Sequence, residues 1–166
     1  MKIYLMRHAE AVSASQWRGS DSDRPLSAVG LARLESGIKE MKRVGFSVPV
    51  IASSPYLRAL GTAKTVARLL ALPDPIVRSE LASGVRHDSL RKVAAEYASQ
   101  SPVMILGHMP EIAIFGTRIT NLPRIMDQGL QPADILLIEV DEADSDWREG
   151  KLIWWRALED WKAVKP

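Results

Sequence analysis

The chain has 166 residues, 46% of them hydrophobic and 25% charged, which is the composition of an ordinary globular protein and the length of a single domain, 1–166. It has no cysteine, which excludes disulfides, thiolate metal sites and a cysteine nucleophile. Twenty-two Lys and Arg against 20 Asp and Glu leave a formal charge of +2, too small an excess to point to nucleic acid or an anionic membrane.

Lys2 to Met6 is a short apolar and β-branched run and predicts a strand. It breaks at Arg7-His8, so no signal-peptide core is expected. Ser13 to Arg24 is polar and aperiodic, hence a loop. Ser27 reads as the N-cap of a helix ending near Gly45, with Leu31, Leu34, Ile38 and Met41 spaced to face a core. Val48 to Ser54 predicts a second strand, and Pro55 to Leu72 a second helix. Ile76 to Leu81 is a weaker third strand. Asp88 caps a predicted helix to about Ser99, with Leu90, Val93, Ala94 and Tyr97 inward. Pro102 to Gly107 predicts a buried strand and Glu111 to Thr120 a helix. Asp134 to Asp141 and Lys151 to Leu158 predict two strands, joined as a hairpin by the acidic stretch Glu142 to Gly150. Adjacent Trp154 and Trp155 must then point to opposite faces.

Strands alternating with helices, and strands apolar throughout, predict a three-layer α/β fold. Its mostly parallel central sheet has about six strands, with helices on both faces. No apolar run approaches the roughly 18 residues of a membrane span, so a cytoplasmic protein with neither membrane nor nucleic-acid partners is expected.

In such sheets ligands lie beyond the carboxyl ends of the strands. Three predicted strands end in chemically useful residues: Arg7-His8, then Ser53-Ser54-Pro55 with Arg58 one turn on, and Gly107-His108. Guanidinium groups match phosphate oxygens and keep their charge, and a neutral imidazole is a nucleophile toward phosphorus. With no carboxylate cluster for a metal pair, the set suggests phosphoryl transfer without metal or cofactor.

Residues 3–10, Ile-Tyr-Leu-Met-Arg-His-Ala-Glu, resemble the Arg-His-Gly signature of the histidine phosphatase, or phosphoglycerate mutase-like, superfamily. Ser53-Ser-Pro-Tyr-Leu-Arg-Ala-Leu-Gly-Thr-Ala63 resembles its second block and Leu106-Gly-His-Met-Pro110 its third. Asp23-Arg-Pro-Leu-Ser-Ala-Val-Gly30 matches a further stretch common there. All four stand in the superfamily's order. Only 50 positions separate Arg58 from His108, and they leave room for little more than a strand and a helix. The chain therefore most resembles the short, SixA-type phosphohistidine phosphatases, which lack a longer insertion over the site.

The resemblance implies a phosphatase whose nucleophile is His8, with Arg7, Arg58 and His108 clamping the phosphoryl oxygens. The His8 Nδ1–H is expected to donate to a backbone carbonyl, leaving Nε2 to attack. The expected substrate is a phosphorylated protein carrying a His-containing phosphotransfer domain, the alternative a small phosphoester. Ala9 departs from the pattern, which has glycine there. Glu10 either buttresses the Arg7 side or is a solvated loop charge. Glu80 is the candidate general acid, or a residue orienting Arg7 or Arg58. His87 is a second candidate acid, though a loop histidine without that role is the simpler expectation.

Overall fold

Six strands form one sheet: β1 (Lys2–Arg7), β2 (Val50–Ser53), β3 (Ile76–Val77), β4 (Val103–Gly107), β5 (Ile135–Glu139) and β6 (Lys151–Arg156), in the order β3-β2-β4-β1-β5-β6. The computed structural model describes residues 1–142, 144 and 147–165, without the His87 side chain. Strands β3, β2, β4 and β1 run parallel, whereas β5 is antiparallel to β1 and to β6. The parallel strands β2 and β4 are buried along their whole length, as their uninterrupted apolar runs require.

Helices α1 (Ala28–Arg43) and α2 (Leu57–Leu70) cover one face. There Leu34, Ile38, Ala63 and Val66 pack on Met6, Met104 and Leu106. Helices α3 (His87–Glu96), α4 (Glu111–Thr120) and α5 (Arg124–Gln128) cover the other, where Leu90, Val93, Ile112 and Ile125 pack on Ile3, Leu5 and Ile105. Successive β1 side chains thus feed two separate cores, as strand pleating dictates. Trp154 joins the α1 side beside Tyr4 and Trp161, and Trp155 joins the opposite side. Among the described residues no helix is long and apolar enough to cross a membrane.

Several predicted elements shift. Leu31 is exposed, not core: the buried stripe of α1 is Gly30, Leu34, Gly37, Ile38 and Met41, and Leu31 lies one helical step off it. The third strand stops at Val77 because its only partner residues, Ala52 and Ser53, end β2; a 3₁₀ turn, Ser79–Leu81, follows. Helix α3 starts at His87 with Arg86 as N-cap and ends at Glu96, so Asp88 lies in its first turn instead of capping it. Helix α2 is trimmed to Leu57–Leu70, closing on a left-handed Ala71. The hairpin strands trim to Ile135–Glu139 and Lys151–Arg156; part of their connection, at 143 and 145–146, falls outside the described residues. Helix α5, five residues after Pro123, is too short to leave a periodic signal.

Candidate active site

Parallel neighbours β2, β4 and β1 end side by side, and each delivers one part of the site. Arg7 ends β1, and the following His8 N–H bonds to the Gly107 carbonyl at 3.1 Å. The Ser54 N–H likewise reaches across to the Leu106 carbonyl at 3.0 Å, and Arg58 follows in the first turn of α2. His108 is the residue after β4, and its ring centroid lies 5.2 Å from that of His8. Arg7, His8, Arg58 and His108 line one cleft of about 280 Å³, together with Glu10, Ala11, Arg24, Met109 and Pro132.

The His8 tautomer follows from its partners. Nδ1 lies 2.7 Å from the Ala9 carbonyl oxygen, which can only accept, so Nδ1 carries the proton. Nε2 accepts the Arg58 Nε–H at 3.2 Å, which requires its lone pair. Burial, reinforced by the charges of Arg58, Arg7 and Arg24 and opposed by the Ala9 bond, pushes the His8 pKa down to about 4. His8 is therefore a neutral imidazole with Nε2 unprotonated at neutral pH. Ala9 fits where the family pattern has glycine. It is buried, it is absent from the positive-φ positions, and its N–H donates to Thr62 Oγ1 at 3.0 Å. Thr62 in turn donates to the Arg58 carbonyl, tying the two motif blocks together.

The guanidinium groups are held before any ligand arrives. Arg58 is 3% exposed and donates to the Asp21 carbonyl at 2.7 Å and to Asp21 Oδ2 at 3.0 Å. Asp21 Oδ1 takes the Arg24 Nε–H at 2.9 Å, and Arg24 also donates to the Val12 carbonyl. One carboxylate thus aligns two of the three cleft arginines. Burial opposes its ionisation, but hydrogen bonds and charges from Arg24 and Arg58 hold Asp21 below the usual carboxylate range. Arg7 Nη1 donates to the Leu130 carbonyl at 2.5 Å. His108 Nε2 lies 2.7 Å from Ser54 Oγ, and Tyr56 sets its ring edge-on to His108 and against the Arg58 guanidinium. Burial first, then the His8 and Arg58 charges, push the His108 pKa down to about 3, so it too is neutral here.

One candidate lies elsewhere. Glu80 does not line the cleft; it sits in the 3₁₀ turn after β3, where its carboxylate takes the Arg78 Nη2–H at 2.7 Å. Glu96 binds the same guanidinium. Hydrogen bonding from Arg78 holds the Glu80 pKa at about 2, so this group is an anion committed to Arg78 and not to Arg7 or Arg58. The His87 side chain lies outside the described residues. Glu10 does line the cleft, and its Oε1 accepts from Ser27 Oγ at 3.1 Å, the side chain that also caps α1 at the Gly30 N–H. It buttresses the start of α1 and makes no bond to Arg7. Asp21 and Arg24 were not singled out from the sequence, although Arg24 lies inside one of the motif blocks.

Among the described residues no three His, Cys, Asp or Glu side chains cluster to hold a metal ion. Three guanidinium groups around a neutral imidazole make a receptor for an oxyanion beside a nitrogen nucleophile.

Residues 3–83 match the family model of the histidine phosphatase superfamily, branch 1. A protein of unassigned function from Picosynechococcus is 30% identical over 117 residues, covering 68% of each chain. The solved structure of the protein histidine phosphatase SixA with tungstate superposes with a TM-score of 0.81 at 21% identity, over 96% of this chain and 99% of that one. A mycobacterial glucosyl-3-phosphoglycerate phosphatase superposes with a TM-score of 0.72 at 16% identity, over 94% and 98%.

Proposed function

The chain belongs to the histidine phosphatase superfamily, and from that premise we propose that it is a phosphatase acting through a phosphohistidine on His8, with phosphohistidine on a phosphotransfer protein as its substrate. The observation that carries the reading is the His8 tautomer: Nδ1–H is spent on the Ala9 carbonyl and the Nε2 lone pair faces the cleft arginines. Nε2 attacks phosphorus. The bond from phosphorus to the leaving nitrogen or oxygen breaks, its electron pair stays on the leaving atom, and that atom takes up a proton. Water then attacks the phosphorus of the enzyme phosphohistidine and loses a proton, and the P–N electron pair returns to His8. Arg7, Arg58 and Arg24 stabilise the charge spread over the equatorial oxygens, and the Arg58 Nε–H moves from Nε2 to one of them. No metal enters this scheme.

The substrate reading draws on the short connection between Arg58 and His108. Beyond α2 it carries two-residue β3, helix α3 and two 3₁₀ turns before β4, with no inserted cap over the cleft. A phosphorylated side chain projecting from a protein fits such a mouth. The resemblance to glucosyl-3-phosphoglycerate phosphatase favours the second reading, a small phosphomonoester. Phosphate release from a phosphohistidine-bearing phosphotransfer protein, a panel of sugar phosphates and p-nitrophenyl phosphate decides between them. The phosphoprotein is expected to give the highest kcat/KM. A sugar phosphate preferred by orders of magnitude moves the assignment to small esters. On every substrate, His8→Ala should abolish turnover and the acid-labile phosphoenzyme; turnover retained by that variant rejects the nucleophile.

A further inference from the structure

The turn between α5 and β5, Gly129 to Asp134, grips the Arg7-His8 dipeptide from behind. The Ala133 N–H donates to both the Arg7 and the His8 carbonyl at 3.2 Å. The Arg7 N–H donates to the Asp134 carbonyl at 3.1 Å, and the Arg7 guanidinium donates to the Leu130 carbonyl at 2.5 Å. Main chain and side chain of Arg7 are therefore both referenced to one turn. That turn is not relaxed: Ala133 is buried and left-handed, at φ 66°. A residue with a β-carbon keeps such a conformation only where its surroundings over-determine it, and such positions concentrate at functional sites.

Asp134 supplies the constraint. Its carboxylate is buried, and one oxygen, Oδ2, accepts both the Gln131 N–H at 2.9 Å and the Trp155 indole N–H at 2.8 Å. The other oxygen, Oδ1, is buried without a partner. Trp155 stands on β6 opposite Leu136 of β5, so its bond anchors the turn to the sheet edge. Neither Asp134 nor Trp155 lines the cleft.

We propose that Asp134 and Trp155 are positioning residues for the phosphoryl site, locking the Gly129 to Asp134 turn so that Arg7 and His8 are presented to the anion in fixed geometry. This rests on the reading of the cleft as a phosphoryl site.

Three variants test it, with tungstate as the binding probe and p-nitrophenyl phosphate as substrate. Trp155→Phe keeps the ring and deletes one N–H. Asp134→Ala deletes both bonds. Asp134→Asn leaves an oxygen that can accept both. At a temperature where circular dichroism shows each protein fully folded, Trp155→Phe should raise the tungstate Kd and lower kcat/KM about three- to tenfold, the weight of one hydrogen bond. Asp134→Ala should lose more, and Asp134→Asn should return to within about threefold of the parent protein. The Trp155 indole N–H resonance, identified by its absence from Trp155→Phe, should move as tungstate is titrated into the parent protein. Unchanged tungstate affinity in folded Trp155→Phe overturns the inference. So does an Asn variant no better than the Ala variant. Should Asp134→Ala not fold, Trp155→Phe and the indole resonance decide. A parent protein that neither binds tungstate nor turns over any phosphate ester instead rejects the phosphoryl reading of the cleft, a result distinct from either.

Discussion

His8 and His108 stand in the cleft as neutral imidazoles, and burial is the first cause in both. The sign of the pH dependence follows. The unfolded chain takes up these two protons below about pH 6.5, while the folded chain waits until about 4 for His8 and about 3 for His108. Protonation thus favours unfolding throughout that window, and stability should fall as pH drops from 6.5 toward 4. Urea midpoints at pH 7, 5.5 and 4.5 measure this. The same shift sets activity. After correction for the substrate's own ionisation, kcat/KM on p-nitrophenyl phosphate should hold to near pH 5 and fall as His8 protonates around pH 4. An acid limb at 6.5 would mean that His8 behaves as an ordinary solvated histidine and that the arginines around it do not act on its charge.

At the scale of elements, what the sequence made legible is what local pattern encodes. β1 and β4 are apolar runs closed by Arg7-His8 and Gly107-His108, so strand, strand end and site residue could be read together. The Ser27 cap was legible for the same reason, and its hydroxyl does accept the Gly30 N–H. Contributions made by tertiary contact were not legible. Asp21 belongs to an aperiodic polar run and matters only because a 3₁₀ turn carries it onto Arg58. Glu80 looked well placed as the end of a strand, but β2 runs out at Ser53, β3 stops at Val77, and the chain turns Glu80 onto Arg78. Leu31 was misplaced because Gly30, which shows no hydrophobic signal, occupies the buried stripe. That glycine carries a prediction. Gly→Ala within a helix ordinarily stabilises by up to about 1 kcal/mol. Here a β-carbon would stand 2.1 Å from the Glu10 carbonyl oxygen, a backbone atom that no rotamer change can move aside. Gly30→Ala should therefore destabilise by about 1–3 kcal/mol, the usual range for overpacking, and should lower kcat/KM because Glu10 lies two residues from His8. A urea midpoint unchanged or raised would show that the Glu10 segment yields freely.

Across the whole molecule, the parallel strand ends gather positive charge at one end of the sheet while Glu80, a proton donor expected there, is elsewhere. Arg7, Arg24 and Arg58 face the cleft, whereas Glu80 is an anion held by Arg78 outside it. On the proposed reading the cleft arginines stabilise the phosphoryl group in transit, and Glu80, bound to Arg78 outside the cleft, does not serve the leaving atom. The consequence appears in the leaving group. Across aryl and alkyl phosphates of increasing leaving-group basicity, kcat/KM should fall steeply, because the departing oxygen must carry its charge without that acid. Phosphohistidine, whose imidazole leaves more readily than an alkoxide, escapes the penalty. Glu80→Gln should then change kcat/KM on phosphohistidine and on esters alike by less than about tenfold, well short of the roughly 10²–10⁴-fold that removal of a positioned general acid costs. A flat dependence on leaving-group basicity would show a proton donor at work. Glu10, the carboxylate that does line the cleft, is then the group to change, and Glu10→Gln should make the dependence steep again if the proton comes from there.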